Sequence, residues 1–314
     1  MKYRKLGRTG LDVSVLGFGA SSLGSVFRTT DEAESIRTVH AALDSGINYI
    51  DVSPFYGLTK AETVLGKAIK ELPRDRFVLS TKAGRYGMDK FDFTRDRITD
   101  SIEESFARLN TDYIDILYLH DIEFVSSDII LEEAIPAVQR LKAEGKIRHY
   151  GICGLPIPMF ETLLPQVEVD AIISYCHYSL NDTALLGLLP LLERKGIGLV
   201  NASPLSMGLL SVRGTPEWHP ASPEIKAACK RAADLCASRG SDIAKLAIQY
   251  STSNERIPTT LVSTANPDNI RKNAAWTEEP IDEELLKDVL EILKPVHNRT
   301  WVSGRPEYNG NLIV

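Results

Sequence analysis

The chain has 314 residues and a formal net charge of −6; 43% of its residues are hydrophobic and 25% are charged. This composition is typical of a globular protein, and its acidic balance argues against nucleic acid as a partner. No apolar run approaches the ~20 residues of a membrane span, and the first residues lack the apolar core of a secretory leader. We therefore expect no membrane anchor.

Cysteine and histidine usage restricts the function classes further. The four cysteines form no C-x-x-C pair, which favours reduced thiols in a cytoplasmic protein. The six histidines are scattered without metal-ligand spacing, so no metal site is expected. No heptad repeat or long exposed apolar run indicates self-association, and we therefore expect a monomer.

Strand-like and helical segments alternate along the chain. Eight apolar runs of strand length occur at 13–20, 47–53, 77–83, 113–120, 149–154, 169–175, 197–203 and 259–264. Their nearly continuous hydrophobicity is typical of parallel strands covered by helices. The first helical pattern begins with Thr29 and Glu32 at capping-box spacing and stops at Gly46. Later helical patterns end at Gly145, Gly196 and Gly240.

This rhythm predicts a right-handed βαβ series and, with eight units, a closed (β/α)8 TIM barrel, an α/β fold in a single domain over residues 1–314. We predict that residues 1–12 form a hairpin that closes the barrel bottom, and that residues 295–314 form a tail near the substrate mouth. The alternative is an open doubly wound sheet. That fold requires G-x-G-x-x-G after the first strand, and Ser22 stands at the third glycine position.

Titratable side chains stand at the ends of three consecutive strands. Asp51 ends the second strand, Lys82 ends the third, His120 ends the fourth, and Tyr56 follows Asp51 on the adjoining loop. Each alone could be structural, as a loop cap, a solvated lysine or a satisfied core histidine. Because barrel enzymes carry their chemistry at the C-terminal ends of the strands, four such groups together favour a catalytic site.

These four side chains suit proton transfer. An isolated tyrosine titrates near ~10, and an adjacent ammonium from Lys82 would lower the pKa of Tyr56. Asp51 would keep Lys82 charged by pairing with it. His120 would donate a hydrogen bond to a substrate oxygen. The residues thus predict Tyr56 as a general acid–base catalyst.

The order Asp51, Tyr56, Lys82, His120 resembles the catalytic tetrad of the aldo-keto reductase family. Further motifs agree with it: GINYIDVSPFYG at 46–57, STK at 80–82, DYIDILYLHD at 112–121, ASPL at 202–205 and ANPDNIRKN at 265–273. The resemblance implies a (β/α)8 barrel with a nicotinamide cofactor bound extended at its mouth. Within the family, HDIEF at 120–124 and NASPLSMGLL at 201–210 resemble dehydrogenases of L-galactose, L-fucose and D-threo-aldoses, which oxidise a sugar at C1 to a lactone.

The resemblance also implies the cofactor contacts, which are Gly154, Ser174, Ser203, Leu205, Met207, Gly208, Leu209, Ser263, Thr264, Asn269 and Asn273. Three positions depart from the family: Cys153-Gly154 replaces Ser-Asn, a glutamine is replaced near Ser174, and Ala202 replaces a stacking aromatic residue. NADP-using members carry lysine and arginine at the positions of Ser263 and Asn269, so NAD is the expected cofactor. Arg271 and Lys272 lie nearby, either to reach a phosphate or on a solvated helix face.

Expected substrate contacts are Tyr56, His120, Asp121, Trp218 and Trp301, and Glu123 is a further candidate acceptor for a sugar hydroxyl. The two tryptophans could stack on a sugar or pack in the outer shell of the barrel. We predict NAD-dependent oxidation at C1 of L-galactose or a related sugar such as L-fucose, with Tyr56 as the base. The alternatives are an NADPH-dependent aldehyde or ketone reductase and a cofactor-binding regulatory subunit. L-galactose as substrate would imply a role in ascorbate biosynthesis, although a catabolic role fits equally well.

Overall fold

The computed structural model describes residues 1–309. The strands are β1 (Tyr3–Lys5), β2 (Asp12–Ser14), β3 (Leu16–Gly19), β4 (Tyr49–Asp51), β5 (Val78–Ala83), β6 (Ile114–His120), β7 (Ile147–Gly154), β8 (Ala171–Tyr175), β9 (Gly198–Ala202) and β10 (Thr259–Ser263). Strands β3 to β10 are parallel and close into a barrel in the order β10-β3-β4-β5-β6-β7-β8-β9. The predicted (β/α)8 barrel is confirmed, and each of the eight predicted runs overlaps one barrel strand.

Helices surround the barrel. They are α1 (Glu32–Asp44), α2 (Lys60–Ile69), α3 (Arg95–Leu109), α4 (Ser127–Ile129), α5 (Ile135–Ala143), α6 (Ile157–Leu163), α7 (Leu189–Lys195), α8 (Pro223–Ser238), α9 (Ile243–Ser253), α10 (Pro267–Trp276), α11 (Glu283–Leu293) and α12 (Pro306–Asn309), and a π-helical turn at Ile130–Ala134 joins α4 to α5. Within residues 1–309, no helix has the length and apolar character needed to span a bilayer.

The start of α1 differs from the prediction. Asp31 caps the helix, and its carboxylate accepts a hydrogen bond from the Glu34 amide at 2.7 Å. The capping box predicted from Thr29 and Glu32 is therefore wrong, because an aspartate two residues after Thr29 is an equally good cap and lies directly before the first helical residue. The predicted stop at Gly46 agrees with the structure, since this residue has a φ of 84°.

A short hairpin precedes the barrel. Strands β1 and β2 pair antiparallel, with Tyr3 opposite Ser14. Leu6 and Val13 from this hairpin are fully buried in the cluster that also contains the inner barrel side chains Tyr49 and Val200. The hairpin thus extends the apolar filling of the barrel at its N-terminal end. Of the predicted tail at 295–314, residues 310–314 lie outside the described residues.

A buried carboxylate ties the N-terminal end of β8 to its neighbours. Asp170 accepts hydrogen bonds from Lys142 Nζ at 2.7 Å and from the Tyr150 amide at 3.1 Å, and His149 lies 3.6 Å away. Burial alone would raise the pKa of Asp170, but these hydrogen bonds outweigh it and lower the pKa to about 2. The ionised form therefore stabilises the folded protein at neutral pH.

Strand periodicity decides which side chains reach the mouth. Side chains alternate between the inner and outer faces of a barrel strand. Tyr49 on β4 and Tyr118 on β6 are inner residues, and their hydroxyls lie 3.2 Å apart. Two residues further on, Asp51 and His120 continue the inner faces of these strands at their C-terminal ends.

Candidate active site

An ion pair lies at the base of the mouth. Lys82 Nζ donates to Asp51 Oδ2 at 2.5 Å and to the Val52 carbonyl at 2.9 Å, while Asp51 Oδ1 accepts from the Ser80 hydroxyl at 2.8 Å. The Lys82 and Asp51 side chains are only 1% and 4% exposed. Burial acts to lower the pKa of Lys82, but Asp51 and Tyr56 raise it above its usual value. The lysine is therefore held as an ammonium, as the sequence predicts.

Tyr56 lies above this pair on the loop after β4. Lys82 Nζ is 4.8 Å from the centre of the Tyr56 ring. Burial raises the pKa of the Tyr56 phenol, and Lys82 opposes that rise. The sequence predicted a lowered pKa from the charge of Lys82 alone, whereas burial in the structure has a larger effect of opposite sign.

Two glycines allow the Tyr56 loop to approach the loop after β3. A Cβ on Gly57 would lie 2.0 Å from the Gly24 carbonyl oxygen, and a Cβ on Gly24 would lie 2.6 Å from the Tyr56 carbonyl oxygen. Gly57 also has a φ of 62°. Only glycine fits this contact without moving backbone, so the position of Tyr56 depends on both residues.

His120 completes the group of four. Its Nδ1 lies 3.0 Å from the Ser53 hydroxyl, and its ring is perpendicular to that of Tyr56, with centroids 5.7 Å apart. Burial lowers the pKa of His120, and the positive charges of Lys82 and Arg85 lower it further, so the imidazole is neutral at neutral pH. Ser53 Oγ already accepts from the Phe55 amide at 3.1 Å. In the tautomer in which the Ser53 hydroxyl donates to His120 Nδ1, Nε2–H is left as a donor, and this tautomer is adopted below.

Arg85 is a site residue that sequence reasoning missed. Its guanidinium donates to Asp121 Oδ2 at 2.5 Å and stacks on Phe55, with its central carbon 3.9 Å from the ring centre. Asp121 directly follows His120 and has a φ of 52°. The Arg85 and Asp121 side chains are 13% and 4% exposed, so this is a second buried ion pair beside the tetrad. The available signal was a cation three residues after Lys82, next to a strand end.

Glu123 anchors the C-terminal tail. Its Oε1 accepts from the Leu155 amide at 3.1 Å and from the Ser303 hydroxyl at 2.8 Å, and its carbonyl accepts from the Arg305 amide at 3.2 Å. Burial raises the pKa of Glu123, and the neighbouring Asp121 carboxylate raises it further. Glu123 was predicted to accept from a sugar hydroxyl, but one of its carboxylate oxygens is bonded to the tail.

The two tryptophans predicted to meet the sugar lie around His219. Trp218 stacks on Phe27 with centroids 6.3 Å apart and is 53% exposed, while the Trp301 ring meets His219 edge-on at 4.8 Å. The buried His219 bonds through Nε2 to the Ser206 carbonyl at 3.0 Å. Within residues 1–309, neither indole makes a ring contact with Tyr56 or His120. These rings join the loops after β3 and β9 to the tail.

The loop after β9 carries several predicted cofactor residues and has an unusual backbone conformation. Ser203, Ser206, Met207 and Gly208 all have positive φ, and Leu205 between them has a φ of −90° and a ψ of 12°. The amides of Ser206, Gly208 and Leu209 donate to carbonyls within the same loop, at Ser203, Leu205 and Ser206. The Leu209 side chain is buried in the core.

Four predicted cofactor residues lie between the end of β10 and the middle of α10, namely Ser263, Thr264, Asn269 and Asn273. Asn266 caps this helix and donates from Nδ2 to Glu34 Oε1 at 2.8 Å. Ser263 Oγ accepts a hydrogen bond from the Ser22 amide at 3.0 Å, and it lies 2.7 Å from the Ser22 hydroxyl. Arg271 is exposed and pairs with Asp268 at 3.0 Å, in agreement with the solvated-face interpretation. Glu34 is an acid near this site that sequence reasoning missed, because it lies on α1 and is distant from Asn266 in the sequence.

Gly154 and Ser174 are register partners on β7 and β8. A Cβ on Gly154 would lie 2.6 Å from Glu123 Oε2 and 2.7 Å from Met159 Cε, so a larger residue here would have to displace these two side chains. Ile173 belongs to the inner barrel cluster. Strand alternation therefore places Ile173 on the inner face and Ser174 on the helix side, away from the barrel interior.

His120, Asp121 and Cys153 bring a ring nitrogen, a carboxylate oxygen and a thiol sulfur within 4.8 Å of one another. Each has another role in the structure. Asp121 pairs with Arg85. Burial raises the pKa of the Cys153 thiol, which disfavours the thiolate that metals bind. This geometry gives no positive reason to assign a metal.

Comparison with known proteins agrees with the motif resemblance. The model of the aldo/keto reductase family matches residues 15–294. An L-galactose dehydrogenase of Arabidopsis thaliana is 50% identical, covering 97% of this chain and 98% of the relative. A D-threo-aldose 1-dehydrogenase of Pseudomonas sp is 31% identical, covering 90% and 94%. An aldo-keto reductase from Bacillus halodurans, solved in its holo form, is 30% identical with a TM-score of 0.78, covering 97% of this chain and 99% of that chain.

Proposed function

The chain belongs to the aldo-keto reductase family, and we propose that it oxidises L-galactose, or a related sugar such as L-fucose, at C1 to the lactone with NAD as the cofactor. The observation that carries this proposal is the buried Asp51–Lys82 pair beneath Tyr56, with a neutral His120 beside it. The names of the relatives support the choice of a sugar as substrate.

Proton transfer from the C1 hydroxyl is the step that these residues perform. Tyr56 in its phenolate form accepts the proton, and the adjacent Lys82 ammonium stabilises the phenolate. His120 Nε2–H donates to the same C1 oxygen and fixes its orientation. When bound, the nicotinamide supplies the hydride acceptor at C4. Loss of the hydroxyl proton and the C1 hydride converts the hemiacetal to the lactone.

The charges around the α10 N-terminus support NAD over NADP. Ser263 and Asn269 are uncharged, whereas a 2′-phosphate binds best to cationic groups. Asp268 and Glu34 add negative charge nearby, and Arg271 is engaged with Asp268. The loop after β9 would lie beside the pyrophosphate, and the α10 N-terminus would hold the adenosine end.

We also retain the expectations of a cytoplasmic monomer and of a role in ascorbate biosynthesis if L-galactose is the substrate. All four cysteines are free and buried, which supports a reducing compartment.

Turnover with L-galactose and either NAD or NADP, followed by absorbance of the reduced cofactor, tests the proposal. Tyr56→Phe should lower kcat by about 10²- to 10⁴-fold, because it removes the general base. Tyr3→Phe is the matched control, since Tyr3 belongs to the hairpin at the opposite end of the barrel and should leave kcat unchanged. Turnover only in the reductive direction with NADPH and a simple aldehyde would instead support the reductase alternative.

A further inference from the structure

The Arg85–Asp121 pair has one polar atom without a partner. Asp121 Oδ2 accepts from Arg85, but Asp121 Oδ1 is buried and has no hydrogen-bond donor in the described chain, residues 1–309. Burial raises the pKa of Asp121 and the Tyr175 hydroxyl opposes that rise, yet Oδ1 receives no hydrogen bond from it. An orphaned, buried carboxylate oxygen is costly, because its lost hydration is not replaced.

The surroundings hold this carboxylate in one orientation. Arg85 lies between aromatic rings, with its guanidinium carbon 3.9 Å from the centre of Phe55, 5.2 Å from Phe91 and 5.4 Å from Phe124. The left-handed backbone of Asp121 is unusual for a residue other than glycine and marks a constrained position. Such a fixed acceptor beside the reacting atoms suits recognition of a substrate donor.

We propose that Asp121 Oδ1 accepts a hydrogen bond from the C2 hydroxyl of the sugar, and that Arg85 is the positioning residue that orients Asp121. This inference rests on the proposed oxidation at C1. It makes a free hydroxyl next to the reacting carbon the feature by which the enzyme selects its substrates.

The position of Asp121 and the chemistry of a pyranose identify this hydroxyl. Asp121 Oδ2 lies 3.6 Å from His120 Nε2, the atom assigned to the C1 oxygen, so the carboxylate is next to the reacting carbon. C1 has two flanking positions, the ring oxygen and C2. The ring oxygen carries no hydrogen and would repel a carboxylate, whereas the C2 hydroxyl is a donor. Of these two neighbours, the C2 hydroxyl is therefore the one that can donate to Asp121 Oδ1.

The test compares L-galactose with 2-deoxy-L-galactose in the wild type and in Asp121→Ala. In the wild type, removal of the C2 hydroxyl should lower kcat/KM by about 10- to 100-fold, the usual value of a hydrogen bond to a charged group. Asp121→Ala should lose a similar factor on L-galactose, mainly through KM, and little further on the deoxy sugar. Asp89→Asn is the control, because it removes an exposed carboxylate from the loop between β5 and α3.

Variants of Arg85 test whether this residue orients Asp121, and melting measurements show whether each variant folds. Arg85→Met should raise KM for L-galactose and reduce the preference over the 2-deoxy sugar, while Arg85→Lys should restore part of that preference by keeping a cation beside Asp121. If Asp121→Ala does not fold, Asp121→Asn keeps the size of the side chain and a carbonyl acceptor for Arg85, and thermal melting of each variant reports folding.

The inference is overturned if the wild type uses both sugars equally well, or if Asp121→Ala loses the same factor on both. Those outcomes would leave the proposed C1 oxidation intact. Absence of turnover with any sugar and either cofactor would instead refute the proposed function, and this inference with it.

Discussion

Replacement of Lys82 by methionine tests how strongly the buried ion pair determines stability as well as activity. The change leaves Asp51 without its cation in a site where both side chains are at least 96% buried. Breaking a buried pair in this way costs about 3–5 kcal/mol. With an unfolding entropy of ~2.1 cal/mol/K per residue, the 314-residue chain should lose about 5–8 °C in Tm.

A double variant that removes both charges completes this test. Asp51→Leu combined with Lys82→Met should recover most of the lost stability while remaining inactive, because an apolar pair needs no desolvation. Thermal unfolding followed by circular dichroism measures both variants. Lys230→Met is the surface control: Lys230 and Asp234 are 71% and 62% exposed, so its loss should cost at most about 0.5 kcal/mol. A Lys82→Met variant as stable as the wild type would refute this reasoning.

Three further predictions concern pH and the cofactor. The kcat for sugar oxidation should rise with pH without a plateau near neutrality, because burial raises the pKa of Tyr56 and only the phenolate accepts a proton. A plateau already reached below pH ~6.5 would indicate His120 as the base, because the pKa of His120 is lowered. Ser263→Lys with Asn269→Arg should shift the ratio of kcat/KM toward NADP by at least about 10-fold, and an unchanged ratio would contradict the assignment of these positions. Asp170→Asn should cost on the order of 2 kcal/mol at neutral pH, since the folded pKa of about 2 lies below the unfolded value of ~3.9. This cost should decline as pH falls below ~4 in urea titrations, and a pH-independent cost would disagree with the linkage.

The barrel and the four tetrad side chains could be predicted because both depend on local patterns. A continuous apolar run marks a buried strand wherever it occurs, and the ends of consecutive parallel strands meet at one edge. Asp51, Lys82 and His120 could therefore be placed together without knowing any loop path.

Features that depend on loop paths or on the exact register were not accessible in the same way. The contact between Arg85 and Asp121 depends on how two loops fold over the mouth, and that between Glu34 and Asn266 joins residues 232 positions apart. The inner position of Ile173, rather than Ser174, is a matter of one residue, which reverses the face of a strand. The raised pKa of Tyr56 depends on burial, which spacing alone does not reveal.

Because the tail bonds to Glu123, the site is complete only after the tail has been synthesised. A chain leaves the ribosome from its N-terminus, so all eight barrel strands are synthesised before Ser303 and Arg305, which bond to Glu123. The wall beside Asp121 is consequently the last part to be completed. A premature stop or a bulky tag at the C-terminus would then leave a folded barrel with an unfinished sugar pocket.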